Sequence, residues 1–396
     1  MNLAATPLPW LDARLDSGNG DRVGLEPGDP PRLHLRLRPD PLPADAPPDA
    51  VPFRQWFHVR VHARPGETVE LVLDDAGEAT YPDGWRDYRA VVSEDERAWW
   101  RTETRYEDGR LWIRYTPRGG TFVCAAFAPY PLARHGALLA RAQGHPDVRR
   151  VPLGRTVEGR VLEALRVGAE APAGPPAWIV ARQHPGESMA AWCAEGLLDR
   201  LLDDADPVAR ALRARHALWI VPAMNPDGVA AGWLRTNAAG VNLNRAWQAP
   251  DPRTAPEVAA VQATMGETGC GLFLDLHGDE VLPWVFTAGC EGAAGYGGAW
   301  QAAQDRFRER LLAASPDYQT RHGYPSPPPG RGNPALATTA TGGRFRCPAF
   351  TLELPFKDNA GAPDPERGWS PERSARFGAA LLGPVLGALD EREEGP

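Results

Sequence analysis

Little in this chain points toward a membrane or a nucleic acid. No window of its 396 residues approaches eighteen consecutive apolar residues, which excludes a spanning helix. The N-terminus, MNLAATPLPWLDARLDSGNG, lacks the basic region and long apolar run of a secretory signal. No basic cluster is visible, and a formal net charge of -8 argues against a nucleic-acid partner, which needs a basic face. Cysteine is scarce. Cys124, Cys193, Cys270, Cys290 and Cys347 are odd in number and scattered, with no CxxC, and read as buried free thiols of a reducing cytoplasm. Collagen-like and low-complexity repeats are also missing, so the 42 prolines and 41 glycines mean a turn-rich architecture. What is present is an ordinary globular composition, 43% hydrophobic and 24% charged, over a length that suggests two or three domains.

Residues 1–30 are polar and rich in Gly, Pro and Asp, and are expected to be loosely attached. Arg32 to Arg38 alternates strictly, with Leu33, Leu35 and Leu37 on one side, as a half-buried strand does. From Phe53 to Phe127 several short β-type runs follow with turn signals between them, the strongest hairpin signal being Asp108-Gly109. Residues 31–127 therefore read as an all-β sandwich. His58 and His62, on one strand face, would lie about 13 Å apart, too far to share an ion. Trp56, Trp85, Trp99, Trp100 and Trp112 are read as core or interface aromatics before any ligand platform.

Beyond residue 128 the pattern alternates between strands (Val161 to Val167, Ala177 to Ala181, Ala217 to Val221, Gly271 to Leu276, Ala349 to Leu354) and helices (Ala133 to Gln143, Glu187 to Leu202, Pro256 to Met265). This predicts an α/β domain over 128–396 with a mixed, largely parallel buried sheet. Ser370-Pro371 opens a last helix, expected to run to about Leu389.

Chemistry gathers at the ends of these strands, where open α/β sheets place their ligands. Ala177 to Ala181 leads into His184-Pro185-Gly186-Glu187. An imidazole and a carboxylate three apart form two-thirds of a His/His/carboxylate zinc set, although a capping Glu and a hydrogen-bonded turn His would look the same. His277 follows a second strand. Glu353 sits inside a third, where an unpaired carboxylate costs several kcal/mol. Asn225-Pro226-Asp227-Gly228 forms a turn, and beyond it come Arg235, Asn244 and Arg245.

Taken in order, ARQHPGESMAAW, NPDG, WLRT, GVNLNRAW, FLDLHGD and FTLELPFKD resemble the zinc carboxypeptidases, in their cytosolic carboxypeptidase-like branch. The β-rich first domain, with EATYPDGWRDYRAVVS and FAPY, is similar to the N-terminal domain of that branch. The resemblance implies an α/β/α carboxypeptidase-like domain and one zinc ion per chain, held by His184, Glu187 and His277, with water in the fourth position. It implies Glu353 as general base, Arg235 as the group that steadies the oxyanion, and Asn244 with Arg245 as the grip on the substrate's terminal carboxylate. Such an enzyme is a cytoplasmic exopeptidase acting on peptide or protein C-termini.

Two departures stand out. Asn242 occupies a position often held by Asp, so the imidazole it orients would meet an amide oxygen. The tyrosine that commonly closes over the substrate has no counterpart in ALATTATGGRFRC, and Tyr324 lies further upstream. Arg344, together with Arg346 and Arg331, is expected to make the terminal side-chain pocket basic and to favour C-terminal Glu or Asp. The other readings are a zinc amidohydrolase or deacylase of N-acyl amino acids, which uses a similar zinc and arginine set, and a non-catalytic peptide-binding module.

Overall fold

The structure is a computed structural model that describes residues 8–393. Its N-terminal part comprises, among the described residues, strands β1 (Trp10–Asp12), β2 (Asp21–Glu26), β3 (Arg32–Arg36), β4 (His58–His62), β5 (Val69–Leu73), β6 (Val91–Ser93), β7 (Trp100–Arg101), β8 (Glu103–Glu107), β9 (Arg110–Tyr115) and β10 (Thr121–Ala125). They form two five-stranded sheets, β1-β4-β10-β6-β7 and β2-β3-β5-β9-β8. Alternate residues of both sheets, such as Leu33, Leu35, Val59, Val61, Ile113 and Phe122, share one core, because strand side chains alternate between faces. Asp108 and Gly109 connect β8 to β9 with φ of +50° and +72°, the backbone a two-residue hairpin turn requires.

The expectation of a loosely attached start needs correction over the described part, since residues 1–7 lie outside it. β1 and β2 pair with β4 and β3. Between them Asn19 donates to Gly232 O at 2.7 Å and to Arg38 O at 3.1 Å. Composition misleads here because β2 is an edge strand with largely exposed side chains, and so lacks the apolar alternation that marks a strand.

The second part adds β11 (Val148–Arg155), β12 (Val161–Gly168), β13 (Ala177–Ala181), β14 (Ala217–Val221), β15 (Leu272–Asp279), β16 (Phe286–Gly289) and β17 (Ala349–Pro355). Their sheet runs β11-β12-β14-β13-β15-β17-β16. The four inner strands are parallel and the flanking ones antiparallel. Helices α1 (Leu132–Gln143), α2 (Ser188–Leu201), α3 (Pro207–Arg215), α4 (Pro226–Ala231), α5 (Pro256–Thr268), α6 (Gly298–Ala314), α7 (Ala337–Phe345), α8 (Pro371–Ala380) and α9 (Leu382–Glu393) accompany it. Each inner strand is buried throughout, as parallel strands covered on both faces are.

Helix α2, which follows the His184–Glu187 turn, packs so closely on α8 that glycine is required. A Cβ on Gly196 would fall 2.0 Å from Ala375 O, and one on Gly378 1.9 Å from Cys193 O. The single C-terminal helix expected to reach Leu389 is instead two. Pro384 lacks an N–H and its ring would meet the carbonyl of Ala380, where α8 ends. Among the described residues, no helix is long and apolar enough to cross a membrane.

Candidate active site

The parallel strands bring their carboxyl ends to one edge. Ala181 pairs with Leu276 and His277 with Glu353, so the His184 turn, His277 and Glu353 become neighbours by register alone. His277 lies within β15, which continues to Asp279. The turn after β13 is shaped by Arg182, whose φ of +60° reverses the chain. The Arg182 guanidinium donates to the carbonyls of Pro185 and of Tyr130.

His184 Nδ1 lies 2.6 Å from Glu187 Oε1, and His277 Nδ1 lies 2.8 Å from Glu187 Oε2 and 3.1 Å from His184 Nδ1. All three residues are buried. The ring nitrogens on the far side face acceptors: His184 Nε2 is 3.0 Å from Asn242 Oδ1 and His277 Nε2 is 2.8 Å from Asp275 Oδ2. A neutral imidazole that donates from Nε2 presents a lone pair at Nδ1. With both rings neutral, two such lone pairs and a carboxylate converge on one point and call for a cation among them, so the donor set fits zinc. Burial, with Arg235 adding to it, lowers the pKa of His184 to about 3. Burial alone would also lower that of His277, but Asp275 and Glu187 hold it well above the ordinary value. Glu187 stays below the usual carboxylate range despite burial because two imidazoles face it.

Behind the triad runs a buried chain of hydrogen bonds. Trp247 Nε1 donates to Gln183 Oε1 at 2.8 Å, and Gln183 Nε2 donates to Asp275 Oδ2 at 2.6 Å, the oxygen that also faces His277. Asp275 precedes His277 by two on β15, so both project from the same face of the strand.

Glu353 is buried, and its Oε2 has no hydrogen-bond partner. Burial pushes its pKa up to about 8, with His277 pulling the other way. Its Oε1 lies 3.3 Å from Tyr324 Oη, whose single proton it shares with Asp279.

Arg235, Asn244 and Arg245 line the same cavity of about 510 Å³ as the triad and Glu353. Arg235 Nη1 lies 3.8 Å from Glu187 Oε1, and its guanidinium is flanked by Phe53 and Tyr81 at 5.7 Å each. The N-terminal part also fixes its backbone. Buried Asp40 accepts from the N–H groups of Leu234, Arg235 and Thr236 at 2.7, 2.6 and 2.9 Å. Asn244 is buried, with Nδ2 3.4 Å from His277 Nε2 and Oδ1 accepting from Ala337 N, the first residue of α7, at 2.9 Å. Arg245 stands exposed at the rim.

The structure places Arg344 elsewhere. It is on the last turn of α7, exposed, with its guanidinium 5.0 Å over the Phe345 ring, in a separate depression lined by Trp247 and Gln262. Arg346 lies over Trp300 and donates to Gly295 O, and Arg331 is exposed. None of the three lines the cavity that holds the triad. Proximity to Glu353 along the chain suggested otherwise, but α7 turns Arg344 away, and the cavity wall near its start is Leu336, Thr338 and Thr339.

Asp275, Gln183, Asp279, Tyr81 and Asp40 were not foreseen as contributors, and the sequence assigns no role to Tyr324, the nearest candidate for a closing tyrosine. Asp275 could have been found from its two-residue offset to His277. Tyr324 and Tyr81 lie in turns, where periodicity gives no facing direction. The tryptophans behave as core or interface residues: Trp56, Trp85 and Trp99 are buried, and Trp112 sits beneath Arg32 and Arg105. The five cysteines are buried. Among the described residues, His58 and His62 join no metal-ligating group.

Residues 11–127 match the family model described as the cytosolic carboxypeptidase N-terminal domain, and residues 136–294 match the zinc carboxypeptidase model. The solved metallo-carboxypeptidase of Burkholderia cenocepacia is 42% identical, with a TM-score of 0.90 over 97% of this chain and 100% of that one. The metallo-carboxypeptidase of Pseudomonas aeruginosa, solved in complex with (2-guanidinoethylmercapto)succinic acid, is 41% identical, with a TM-score of 0.91 over 96% of this chain and 99% of that one. Cytosolic carboxypeptidase 4 of Mus musculus is 39% identical over 117 residues, which cover 28% of this chain and 10% of that protein. With its sheet order, convergent donor set and both domain matches, the chain belongs to the zinc carboxypeptidase family of peptidases, in its cytosolic carboxypeptidase-like branch.

Proposed function

We propose that the protein removes C-terminal residues from peptides or proteins with one zinc ion per chain. The observation that carries this reading is the convergence of His184 Nδ1, His277 Nδ1 and the Glu187 carboxylate, all within 4.8 Å of one another, beside a buried carboxylate with an unpartnered oxygen. His184, Glu187 and His277 would hold the ion, with Asn242 and Asp275 fixing the two rings. When bound, zinc supplies Lewis-acid polarisation of the scissile carbonyl and makes a water molecule more acidic.

Glu353, buried beside the triad with one oxygen unpartnered, is placed to take a proton from water and deliver it to the leaving amine. Tyr324, sharing its proton between Glu353 and Asp279, holds the carboxyl in place. Arg235 meets the oxyanion, prepositioned by Asp40 at its backbone and by Phe53 and Tyr81 at its guanidinium. Arg245, with Asn244 beside it, pairs with the terminal carboxylate, which restricts cleavage to the last residue.

A preference for C-terminal Glu or Asp does not follow from Arg344, Arg346 and Arg331, which lie outside the cavity. The wall beside Arg245, made by Leu336, Thr338 and Thr339, is uncharged and suits a neutral terminal side chain. A cytoplasmic location is part of the proposal and is supported by the match of residues 11–127 to the cytosolic carboxypeptidase N-terminal domain. Metal analysis combined with timed trimming of peptides ending in Leu, Glu or Lys tests the whole. One zinc per chain and release of single C-terminal residues, Leu fastest, is the expected result. Hydrolysis of N-acyl amino acids with peptides left intact would move the assignment to a deacylase.

A further inference from the structure

Glu280 has no part in the chemistry above, yet it lines the same cavity. It is 7% exposed, and its Oε1 has no hydrogen-bond partner. Glu187 and Arg235 line that cavity with it, and burial raises its pKa, with Glu187 adding to the rise and Arg235 opposing it. Burying a carboxylate with an open acceptor costs free energy, and a group of that kind facing a substrate cavity is explained if the substrate supplies the missing donor.

Its position along the cleft says which part of the substrate that is. One end of the cleft is built by Asn244, Arg245 and the start of α7, where the terminal carboxylate belongs. The side that carries Glu280 lies under the N-terminal part. There Tyr81 lines the cavity, and Gly84 runs against Glu280 so closely that an added Cβ would lie 3.0 Å from its carbonyl oxygen and 3.2 Å from its Cβ. A peptide anchored at the first end and cut at the triad leads its penultimate residue to that side. Of the charged groups there, Arg235 already faces Glu187 at 3.8 Å and Asp279 accepts from Tyr324. Glu280 keeps one buried oxygen without a hydrogen-bond partner.

We propose that Glu280, roofed by Tyr81 and the Pro82–Trp85 turn of the N-terminal part, is an upstream subsite that takes an ammonium or guanidinium carried by the penultimate residue. This rests on the carboxypeptidase reading and adds a substrate class to it. The cation comes from either of two sources, a Lys or Arg side chain or the free α-amine of a dipeptide.

The test uses the zinc-loaded full chain and peptides with the same terminal residue. One arm compares N-acetylated tripeptides with Lys, norleucine or Glu at the penultimate position, and the other compares free with N-acetylated dipeptides. A charge-assisted contact in a largely desolvated site predicts kcat/KM about tenfold higher for the cationic member of at least one arm, and the arm that responds identifies the source. In Glu280→Gln that ratio falls to near one, with zinc content and melting temperature reporting that the variant is folded. Equal rates for cationic and neutral members of both arms in the wild type overturn the subsite without recourse to any variant, as does a ratio that survives intact in a folded Glu280→Gln. Failure to cleave any member overturns the peptidase reading and the subsite with it.

Discussion

Replacing Glu353 by Gln should move activity and stability in opposite directions, and this separates a catalytic carboxylate from a structural one. In the metal-free protein, burial holds the Glu353 carboxyl near a pKa of about 8 against an ordinary 4.5. Unfolding at pH 7 frees it to ionise, and at about 1.4 kcal/mol per pH unit this favours the unfolded chain by about 3 kcal/mol. The sign follows from the raised value. Relative stability is fully present below pH 4.5, is lost as pH rises, and has gone above about pH 8. Gln fills the same space without ionising, so the metal-free variant should melt higher than the wild type at pH 7 to 8 and about equal to it near pH 4.5. Removal of the base should meanwhile lower kcat by about three orders of magnitude. Melting scans after chelation and single-residue release from a peptide measure the two effects. A variant that trims within tenfold of the wild type refutes the assignment of the base. One that loses activity but melts lower at pH 8 refutes the claim that the carboxyl is buried at a cost.

Three further outcomes are expected. Arg245→Ala should raise KM for free-acid peptides and erase most of the discrimination against C-terminal amides, a loss of about 100-fold in kcat/KM for the acid, read by comparing paired acid and amide substrates. Tyr324→Phe removes the hydroxyl that bonds Glu353 and Asp279 and should lower kcat about tenfold with zinc content unchanged, as one hydrogen bond of this kind is worth about 1.4 kcal/mol. Asn242→Asp places a carboxylate on His184 Nε2, now 3.0 Å from an amide oxygen, and should tighten zinc binding about tenfold in a chelator competition, since partners of this kind tune affinity by 10–100-fold.

Much of the frame was legible from residue order. The apolar runs at 177–181, 217–221 and 349–354 are strands because both of their faces are buried, and a fully buried strand announces itself without any partner. The ligands His184, Glu187 and His277 and the base Glu353 stand out for the same reason, being polar groups set in or beside runs that otherwise exclude them. The two-part C-terminal helix was available too, in the reach of Pro384 back to Ala380. Edge strands such as β2 were not, because half-exposed polar residues in an extended chain look like a loop until a neighbour pairs with them.

Facing direction belonged to the tertiary structure. Arg344 sits nine residues before Glu353 and yet lies outside its cavity, because α7 rotates it away. Asp40 and Arg235 are distant along the chain and yet share hydrogen bonds, because the first domain docks against the second. Residue order specifies which segments are buried and which side chains are out of place in them, since both depend on local pattern. Which of those side chains converge on one point, and which of the chain's many arginines face it, depends on register and on the rotation of each helix, and these are set only when the sheet and its covering layers pack.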